Sequence, residues 1–218
     1  MVSIFICLYF ALPNWVNVIM EEDTRQKILN TAKELFIEKG FSATTMRDIS
    51  SRANINKGLL HYYFQSKQML FVNVMQMTTF ELFPKIDSIL NLKVPFDQKL
   101  ELIVDVYIEF LLSNPRLPAF IINELNSNTD LFVDIIMQAE IYTRILNIAS
   151  MIINEEDLKQ SGMEPVQFVI NFLALMLYPF LMKPIVQKVI GMDDENFSHN
   201  IRLRKKIVLD TLIKSIKK

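Results

Sequence analysis

The sequence is poor in the residues that form metal and redox sites. Among 218 residues there is one cysteine, Cys7, and there are two histidines, His61 and His199. A single cysteine excludes an internal disulfide and a cysteine-based zinc site, and two histidines do not supply a histidine metal cluster. We therefore expect neither a bound metal ion nor a cofactor.

Motifs of catalytic sites are missing as well. The chain has no glycine-rich phosphate loop and no Ser/His or Cys/His pair with supporting spacing. The carboxylate runs at 155–157 and 193–195 lie in polar turns, where solvated side chains are the simpler interpretation. We expect that the protein is not an enzyme, and any measurable turnover would contradict this.

Glycine is scarce, with four residues, and the eight prolines are spread along the chain. There is no Gly/Ser-rich linker, low-complexity run or repeat. Half of the residues are apolar (51%), and they recur at helical spacing in segments joined by short turns. The sequence therefore predicts an all-α chain with a substantial core.

Residues 40–70 are the most informative segment. Met46 to Ala53 has the pattern of a short amphipathic helix, and Asn54 tolerates the left-handed conformation that a tight turn needs. Lys57 to Tyr63 follows as a second short helix. Two helices joined by a turn of three or four residues allow one of them to lie in the major groove of DNA. The segment predicts a helix-turn-helix for DNA binding.

The candidate DNA contacts come from both short helices and the segments that flank them. Thr44 or Thr45 is expected to cap the first helix or to bond a phosphate, and Gly58 would let the backbone approach DNA closely. Leu60 is placed as a core or groove-edge contact. The full set is Thr44, Thr45, Arg47, Asn56, Lys57, Gly58, Leu60, His61, Tyr62, Tyr63 and Lys67.

This region resembles the TetR family of bacterial transcriptional regulators. The matching residues are Ile28, Leu29, Ala32, Leu35, Phe36, Gly40 and Phe41, then 44–49, 53–58 and Leu60, and finally 61–64, Ser66, Lys67 and Leu70. The resemblance implies about nine helices, a dimer on a palindromic operator, and an inducer held in the helical body. It also places His61 and Lys67 at phosphate-contacting positions. Asn54 stands where the family usually has Gly, and His61 where it most often has Tyr.

The formal charge is divided along the chain. Residues 41–70 carry four basic residues and one acid, a net of +3, whereas residues 71–200 carry eight basic and seventeen acidic residues, a net of −9. Residues 201–218 carry a net of +6. A basic reading segment beside an acidic body argues against a non-specific architectural DNA binder, which would be basic throughout.

Residues 1–20 do not fit this pattern. The run is apolar but contains Pro13, Asn14 and Asn17, and it lacks the basic start of a signal peptide. We interpret it as an extension upstream of a functional start at Met20. The alternative is a genuine segment that packs on the body or a membrane. The predicted domains are therefore 1–20 as this extension, 21–68 for DNA binding, and 69–218 for ligand binding and dimerisation.

The body is rich in methionine and aromatic residues at helical spacing. These are more often core residues than pocket residues, yet flexible apolar walls suit a hydrophobic effector such as a fatty acyl compound, bile acid or lipophilic drug. The candidate ligand-binding residues are Phe80, Phe83, Tyr107, Phe110, Phe120, Met137, Tyr142, Phe168, Phe172 and Met176.

The last two helical segments, 164–190 and 196–216, are predicted to form a homodimer. The first is almost continuously apolar, but Pro179 and Pro184 interrupt it and Asn171 lies within it. Dimer packing explains such a surface better than membrane insertion, so we expect no stable membrane association. The whole pattern predicts a cytoplasmic, ligand-responsive regulator, most often a repressor in this family. A membrane-associated or ligand-independent DNA-binding regulator remains the alternative.

Overall fold

The regular elements of the described backbone are all α-helices. The computed structural model describes residues 2–127, 129–138 and 140–216, without the side chains of residues 2–20, 131, 132, 135, 136, 138, 140, 141 and 157. The helices are α1 (Val2–Ala43), α2 (Met46–Arg52), α3 (Lys57–Tyr63), α4 (Lys67–Phe80), α5 (Phe83–Leu90), α6 (Phe96–Ser113), α7 (Leu117–Ser127), α8 (Thr129–Gln138), α9 (Glu140–Ile153), α10 (Glu156–Ser161), α11 (Pro165–Ile190) and α12 (Asp194–Ile216).

The all-α architecture expected from the sequence is confirmed. The described residues form twelve helical segments rather than about nine, because short helices such as α5 and α10 are separate elements. Pro84 lies in the first turn of α5, where a break was expected, and Gly191 ends α11 with a φ of 74°. The interpretation of residues 1–20 as an extension concerns side chains that lie outside those the structure describes.

The chain divides into two compact units, residues 1–77 (unit 1) and 78–218 (unit 2). The sequence placed this boundary at residue 68, nine residues earlier. Unit 1 extends further because the first part of α4 contributes core residues to it. Leu70, Phe71 and Val74 are all buried. Because α4 (Lys67–Phe80) crosses the boundary at residue 77, its residues belong to both units.

The core of unit 1 is an apolar stripe on α1 that continues into an aromatic cluster. Ile28, Leu29, Ala32, Leu35 and Phe36 are each no more than 2% exposed, as their helical spacing predicts. Edge-on contacts then join the ring of Phe71 on α4 to Phe36 and Phe41, with centroids 5.0 and 4.9 Å apart. Such aromatic pairs add to area burial and fix the start of α4 against α1.

The link between α1 and α2 depends on a glycine and a buried threonine. Gly40 interrupts α1 with φ 81° and ψ 164°, a conformation that costs an L side chain strain. The chain then turns, and the hydroxyl of Thr44 donates to the carbonyl oxygens of Gly40 (2.8 Å) and Leu35 (3.2 Å). Thr44 is fully buried. These bonds hold the turn before α2 against the C-terminal end of α1.

Unit 2 packs around α6, which contributes to two apolar clusters. The main cluster joins α6 to α10, α11 and α12, and the side cluster consists of Leu82, Ile86, Leu90 and Ile103. The members of the main cluster are Phe96, Leu100, Val104, Ile108, Leu111, Leu158, Phe168, Met176, Phe180, Phe197, Ile201, Val208, Leu212 and Ile216. Since α6 faces both clusters, it is the central helix of unit 2.

An ion pair ties α6 to the start of α10. The ammonium of Lys99 lies 2.6 Å from a carboxylate oxygen of Glu155, the N-cap residue of α10, and both side chains are largely buried. Removing one partner of such a pair would leave a buried charge without compensation. The pair therefore fixes the register of α10 on α6.

Replacing Thr44 with valine should destabilise unit 1 by about 1–3 kcal/mol, because the two carbonyls lose their donor while the volume is conserved. Thr44→Ser keeps the hydroxyl and should lose less. Urea unfolding at fixed protein concentration would measure both variants. Equal midpoints for Thr44→Val and the parent chain would show that the hydroxyl has no structural role.

Candidate nucleic-acid interface

The first short helix, α2, begins with a reciprocal cap. The backbone N–H of Asp48 donates to the hydroxyl of Thr45 (3.1 Å), and the backbone N–H of Thr45 donates to the Asp48 carboxylate (3.0 Å). The Thr45 hydroxyl also donates to this carboxylate, which holds the pKa of Asp48 below its usual range. The spacing Thr-x-x-Asp is the sequence signal for such a cap, but Asp48 was not among the candidate residues.

The turn between α2 and α3 has the conformation expected for a helix-turn-helix. Asn54 has a φ of 52°, the one described residue other than glycine with a positive φ. The N–H of Ile55 then bonds to the Ser50 carbonyl at 3.0 Å. Asn56 caps α3, since its side-chain oxygen accepts the N–H of Leu59 at 2.7 Å. Asn56 therefore sets where α3 begins.

The outer surface of α3 is polar and open to solvent. Lys57, Gly58, His61 and Tyr62 are exposed, and Tyr62 reaches 72% exposure although it is a large aromatic residue. Lys57 and His61 are four residues apart and so share one side of the helix. We call Lys57, Gly58, His61 and Tyr62 the outer face of α3. Arg47 on α2 is exposed as well.

Two predicted DNA contacts are buried instead. Leu60 on α3 is 0% exposed and belongs to the core of unit 1, where the backbone N–H of Phe64 bonds to its carbonyl. Thr44 is 0% exposed and directs its hydroxyl to α1. Neither side chain can reach a DNA surface from these positions. The sequence could not separate Leu60 from its neighbours because α3 has only two turns.

Tyr63 is partly buried between α3 and α1. Its ring lies edge-on to Tyr62, with centroids 5.3 Å apart. Burial raises the pKa of Tyr63, and its hydroxyl is hydrogen-bonded to Thr24. Tyr62 and Tyr63 therefore differ, since Tyr62 projects outward while Tyr63 ties α3 to α1.

Lys67, a predicted phosphate contact at the start of α4, points at the end of α1. Its ammonium donates to the carbonyl oxygens of Phe41 (2.8 Å) and Ser42 (3.3 Å) and lies 4.3 Å from the centre of the Phe41 ring. Ser66 caps α4 as expected, because its hydroxyl accepts the N–H of Met69. The surroundings of Lys67 thus differ from those of an outward-facing phosphate contact.

The cations of α2, α3 and α4 differ in whether they are paired. Arg52 is paired with Glu38 at 2.7 Å, and Lys67 is held by carbonyls. Among the described residues no carboxylate pairs with Arg47 or Lys57. These two cations are free to meet an anionic partner.

The candidate ligand-binding residues do not form one group in the described part of unit 2. Tyr107, Phe110 and Phe172 lie where the main and side clusters meet, and Phe83 packs on the side cluster. Phe168 and Met176 belong to the main cluster, and Phe120 is buried in α7. Exposed positions are occupied by Phe80 (66%), Met137 (54%) and Tyr142 (37%).

The contact between the two clusters is aromatic. The rings of Tyr107 on α6 and Phe172 on α11 meet edge-on at 5.2 Å, and Phe110 follows at 6.4 Å from Tyr107. Burial raises the pKa of Tyr107 to about 12. We call Tyr107, Phe110 and Phe172 the aromatic junction. Phe110 also borders a surface cavity of about 320 Å³ beside Glu81, Lys85 and Glu109, which the sequence did not predict.

The outer sides of α11 and α12 expose many apolar residues. They are Val166 (60%), Ile170 (51%), Tyr178 (60%), Ile185 (53%), Val189 (79%), Ile190 (68%), Leu203 (61%) and Ile207 (56%). By length and composition α11 could also cross a membrane, and 17% of its most apolar stretch is buried within the chain. A core helix of a soluble protein can have the same length and apolar composition, so these two properties do not distinguish a core helix from a membrane span.

Potential metal ligands do not gather in the part of the chain that the structure describes. No group of three or more His, Cys, Asp or Glu side chains that could hold an ion is found there.

Comparison with known proteins agrees with the geometry of unit 1. The family model described as "Bacterial regulatory proteins, tetR family" matches residues 28–74. The HTH-type transcriptional regulator QacR of Staphylococcus aureus is 43% identical over 51 residues, which are 23% of this chain and 27% of QacR. The probable HTH-type transcriptional regulator YttP of Bacillus subtilis is 25% identical over 182 residues, covering 79% of this chain and 84% of YttP.

Solved structures share the fold of most of the chain. The fatty acid degradation regulator FadR from Bacillus halodurans matches with a TM-score of 0.65 at 19% identity, over 88% of this chain and 99% of that chain. FadR from Bacillus subtilis, solved in complex with stearoyl-CoA, matches with a TM-score of 0.66 at 18% identity and the same coverage. These relatives are regulators rather than enzymes. The helix-turn-helix geometry and the family match over residues 28–74 together show that the DNA-binding segment of this chain is of the TetR type.

Proposed function

We propose that the protein is a homodimeric, sequence-specific repressor that binds a palindromic operator and is released by a small hydrophobic effector. The outer face of α3 is the observation that carries this proposal. It presents a lysine, a glycine, a histidine and a tyrosine to solvent on a helix that Asn54 and Asn56 place in helix-turn-helix geometry. As a DNA-binding regulator, the protein would act in the cytoplasm.

The outer face of α3 suits a major groove in both shape and charge. Lys57 lies at the N-terminal end of the helix, and Gly58 has no side chain to keep the backbone away from the base edges. The exposed hydroxyl of Tyr62 can reach a phosphate or a base edge, and Arg47 on α2 supplies a second cation for the backbone. From the expected set we therefore retain Thr45, Arg47, Asn56, Lys57, Gly58, His61 and Tyr62 as candidate contacts, whereas Tyr63 holds α3 against α1.

A homodimer would bring two helix-turn-helix units to one operator. A single short helix reads few base pairs, and helix-turn-helix dimers gain affinity by reading half-sites about one helical turn apart or more. The exposed apolar residues of α11 are spread along the length of the helix, and Leu203 and Ile207 add further apolar surface on α12. An apolar surface of this kind is costly in a monomer. Pairing through α11 and α12 would bury it.

The alternative is that α11 inserts into a membrane, so that lipid covers its apolar surface. Lys183 argues against it, because its ammonium pairs with Asp194 at 2.7 Å and lies 5.0 Å from the centre of the Phe197 ring. This anchors the C-terminal half of α11 to α12 within the chain. A membrane-spanning α11 would have to carry Lys183 into the hydrocarbon region, which is costly.

The aromatic junction is the most suitable place for a hydrophobic effector. It lies between two apolar clusters, so a ligand that inserted there would separate α6 from α11. FadR of Bacillus subtilis, whose fold this chain shares, was solved with stearoyl-CoA. A long-chain acyl thioester is therefore the effector class that we propose first.

Linkage between the two units explains how an effector would act. A ligand that favours a conformation unsuited to DNA must weaken operator binding by the factor by which DNA weakens ligand binding. Because α4 carries residues of both units, a change in its position in unit 2 reaches the DNA-binding unit through one continuous helix.

Selection of bound sequences from random duplex DNA tests the proposal as a whole. We expect a palindromic consensus whose two halves are read by the two subunits. The selection should be repeated with Lys57→Ala, which removes a cation from the outer face of α3. This variant should have a lower affinity for DNA, and its affinity should depend less steeply on salt concentration. Recovery of unrelated sequences by the parent chain would contradict a sequence-specific regulator.

Introducing a charge on α11 tests the dimer. Val189 is 79% exposed in the single chain, so Val189→Asp should leave the fold intact but place a carboxylate in the proposed interface. We expect a shift from dimer to monomer by light scattering coupled to gel filtration. Leu92→Asp, at a 43% exposed site outside α11 and α12, is the matched control. An unchanged dimer in Val189→Asp would place the interface elsewhere.

Titration with stearoyl-CoA, with free coenzyme A as the control, tests the effector class. Stearoyl-CoA should release the selected operator in a fluorescence anisotropy assay, because only its acyl chain can enter an apolar junction. Operator should weaken stearoyl-CoA binding by the same factor in calorimetry. Release by free coenzyme A, or by other polar compounds alone, would contradict a hydrophobic effector.

A further inference from the structure

We infer that Lys67 is a positioning residue for DNA reading, which acts by holding the α1–α2 turn against α4 rather than by contacting a phosphate. This inference rests on the proposed function, since it concerns how the DNA-binding unit is kept in its reading geometry. Lys67 is the first residue of α4, and its partners lie 25 and 26 residues earlier.

The surroundings of the Lys67 ammonium form a site for a cation. Two backbone oxygens, those of Phe41 and Ser42, accept from it at 2.8 and 3.3 Å, and the face of the Phe41 ring lies 4.3 Å away. Carbonyl groups at a helix C-terminus lack intrahelical donors and carry partial negative charge. An aromatic face adds a further attraction for a cation. Both contributions would be lost if the side chain turned to a phosphate.

The carbonyls that Lys67 binds belong to the segment that leads directly into α2. Gly40 breaks α1 immediately before them, and Thr44 and Thr45 follow immediately after. Thr44 bonds this segment to the body of α1, and Thr45 starts α2. Lys67 therefore adds α4 as a third element fixed to the same turn.

Fixing the turn to α4 also fixes α3. Ala53 at the end of α2 is buried, and Leu60 and Phe64 place α3 in the same core. Arg25 on α1 lies over the Phe64 ring, 5.6 Å from its centre, and bonds to Asn73 on α4 at 2.7 Å. The Lys67 contact is thus a polar link between α1 and α4 that lies next to the helix-turn-helix.

The two possible roles of Lys67 differ in their dependence on salt. A lysine that neutralises a phosphate releases a counterion, so its loss reduces the slope of log K against log salt concentration by about 0.9 for each contact. A lysine that acts by position changes affinity at every salt concentration by the same factor. The slope therefore separates contact from positioning.

The experiment measures operator affinity of the full-length protein at a series of potassium chloride concentrations, with the duplex obtained by selection. Lys67→Met removes the charge and keeps an unbranched chain, Lys67→Arg keeps the donors, and Lys57→Ala is the control for a lysine on the DNA-facing surface. We expect Lys67→Met to lose about tenfold in affinity with a slope parallel to that of the parent chain. Lys67→Arg should recover most of the loss, whereas Lys57→Ala should show a shallower slope.

Amide hydrogen exchange without DNA provides a second readout that does not require an operator. In Lys67→Met the amides of residues 44–60 should exchange faster than in the parent chain, while those of α11 should be unchanged. Lys67→Gln, which retains a donor, replaces Lys67→Met if the latter does not give a folded protein by circular dichroism.

Several outcomes would overturn the inference. A slope for Lys67→Met as shallow as that for Lys57→Ala would show a direct phosphate contact. Unchanged affinity, or unchanged exchange at residues 44–60, would show that the contact does not position the helix-turn-helix. Failure of the parent chain to select any operator would instead reject the proposed function, and the exchange measurement would still decide whether Lys67 holds the turn.

Discussion

The break in α1 at Gly40 is the constraint on which the DNA-binding unit depends. A helix that continued without interruption would carry the chain away from the core, and no tight turn could place α2 and α3 beside α1. Gly40 adopts a positive φ at this point, and the carbonyls freed by the break are then taken up by Thr44 and Lys67. The geometry of the helix-turn-helix follows from how these few backbone groups are satisfied.

Unit 2 is organised around a different feature, a contact between two apolar clusters. Two apolar clusters share α6, and they meet at aromatic rings rather than in a continuous aliphatic core. Edge-on aromatic contacts can be separated with little loss of hydrogen bonding, since the ring faces make few polar contacts. A ligand inserted at the junction would replace one apolar contact with another.

The pairing of charged side chains differs between unit 1 and unit 2. The acidic residues of α6 are largely neutralised within unit 2, where Arg202 holds Glu109 at 2.8 Å and lowers the pKa of that carboxyl by hydrogen bonding. Lys205 contacts both Glu101 and Asp105. Two cations of the C-terminal helix, Arg202 and Lys205, are therefore used for pairing with α6 within unit 2. Arg47 and Lys57 remain available for an anionic partner, since neither forms an ion pair with a carboxylate among the described residues.

The sequence by itself determined the all-α class, the positions of α2 and α3, the positive φ at Asn54 and the resemblance of residues 28–74 to the TetR family. These depend on periodicity, turn chemistry and capping, which act over a few residues and can be read from neighbours in the chain. Tertiary structure alone decided which polar groups face inward. Thr44 and Thr45 are adjacent and chemically alike, yet only Thr44 is buried against α1. Lys67 is directed to carbonyls that lie some 25 residues away, and no local pattern encodes that contact. Side-chain direction in a short helix or turn is set by the elements that pack against it, and these are distant in sequence.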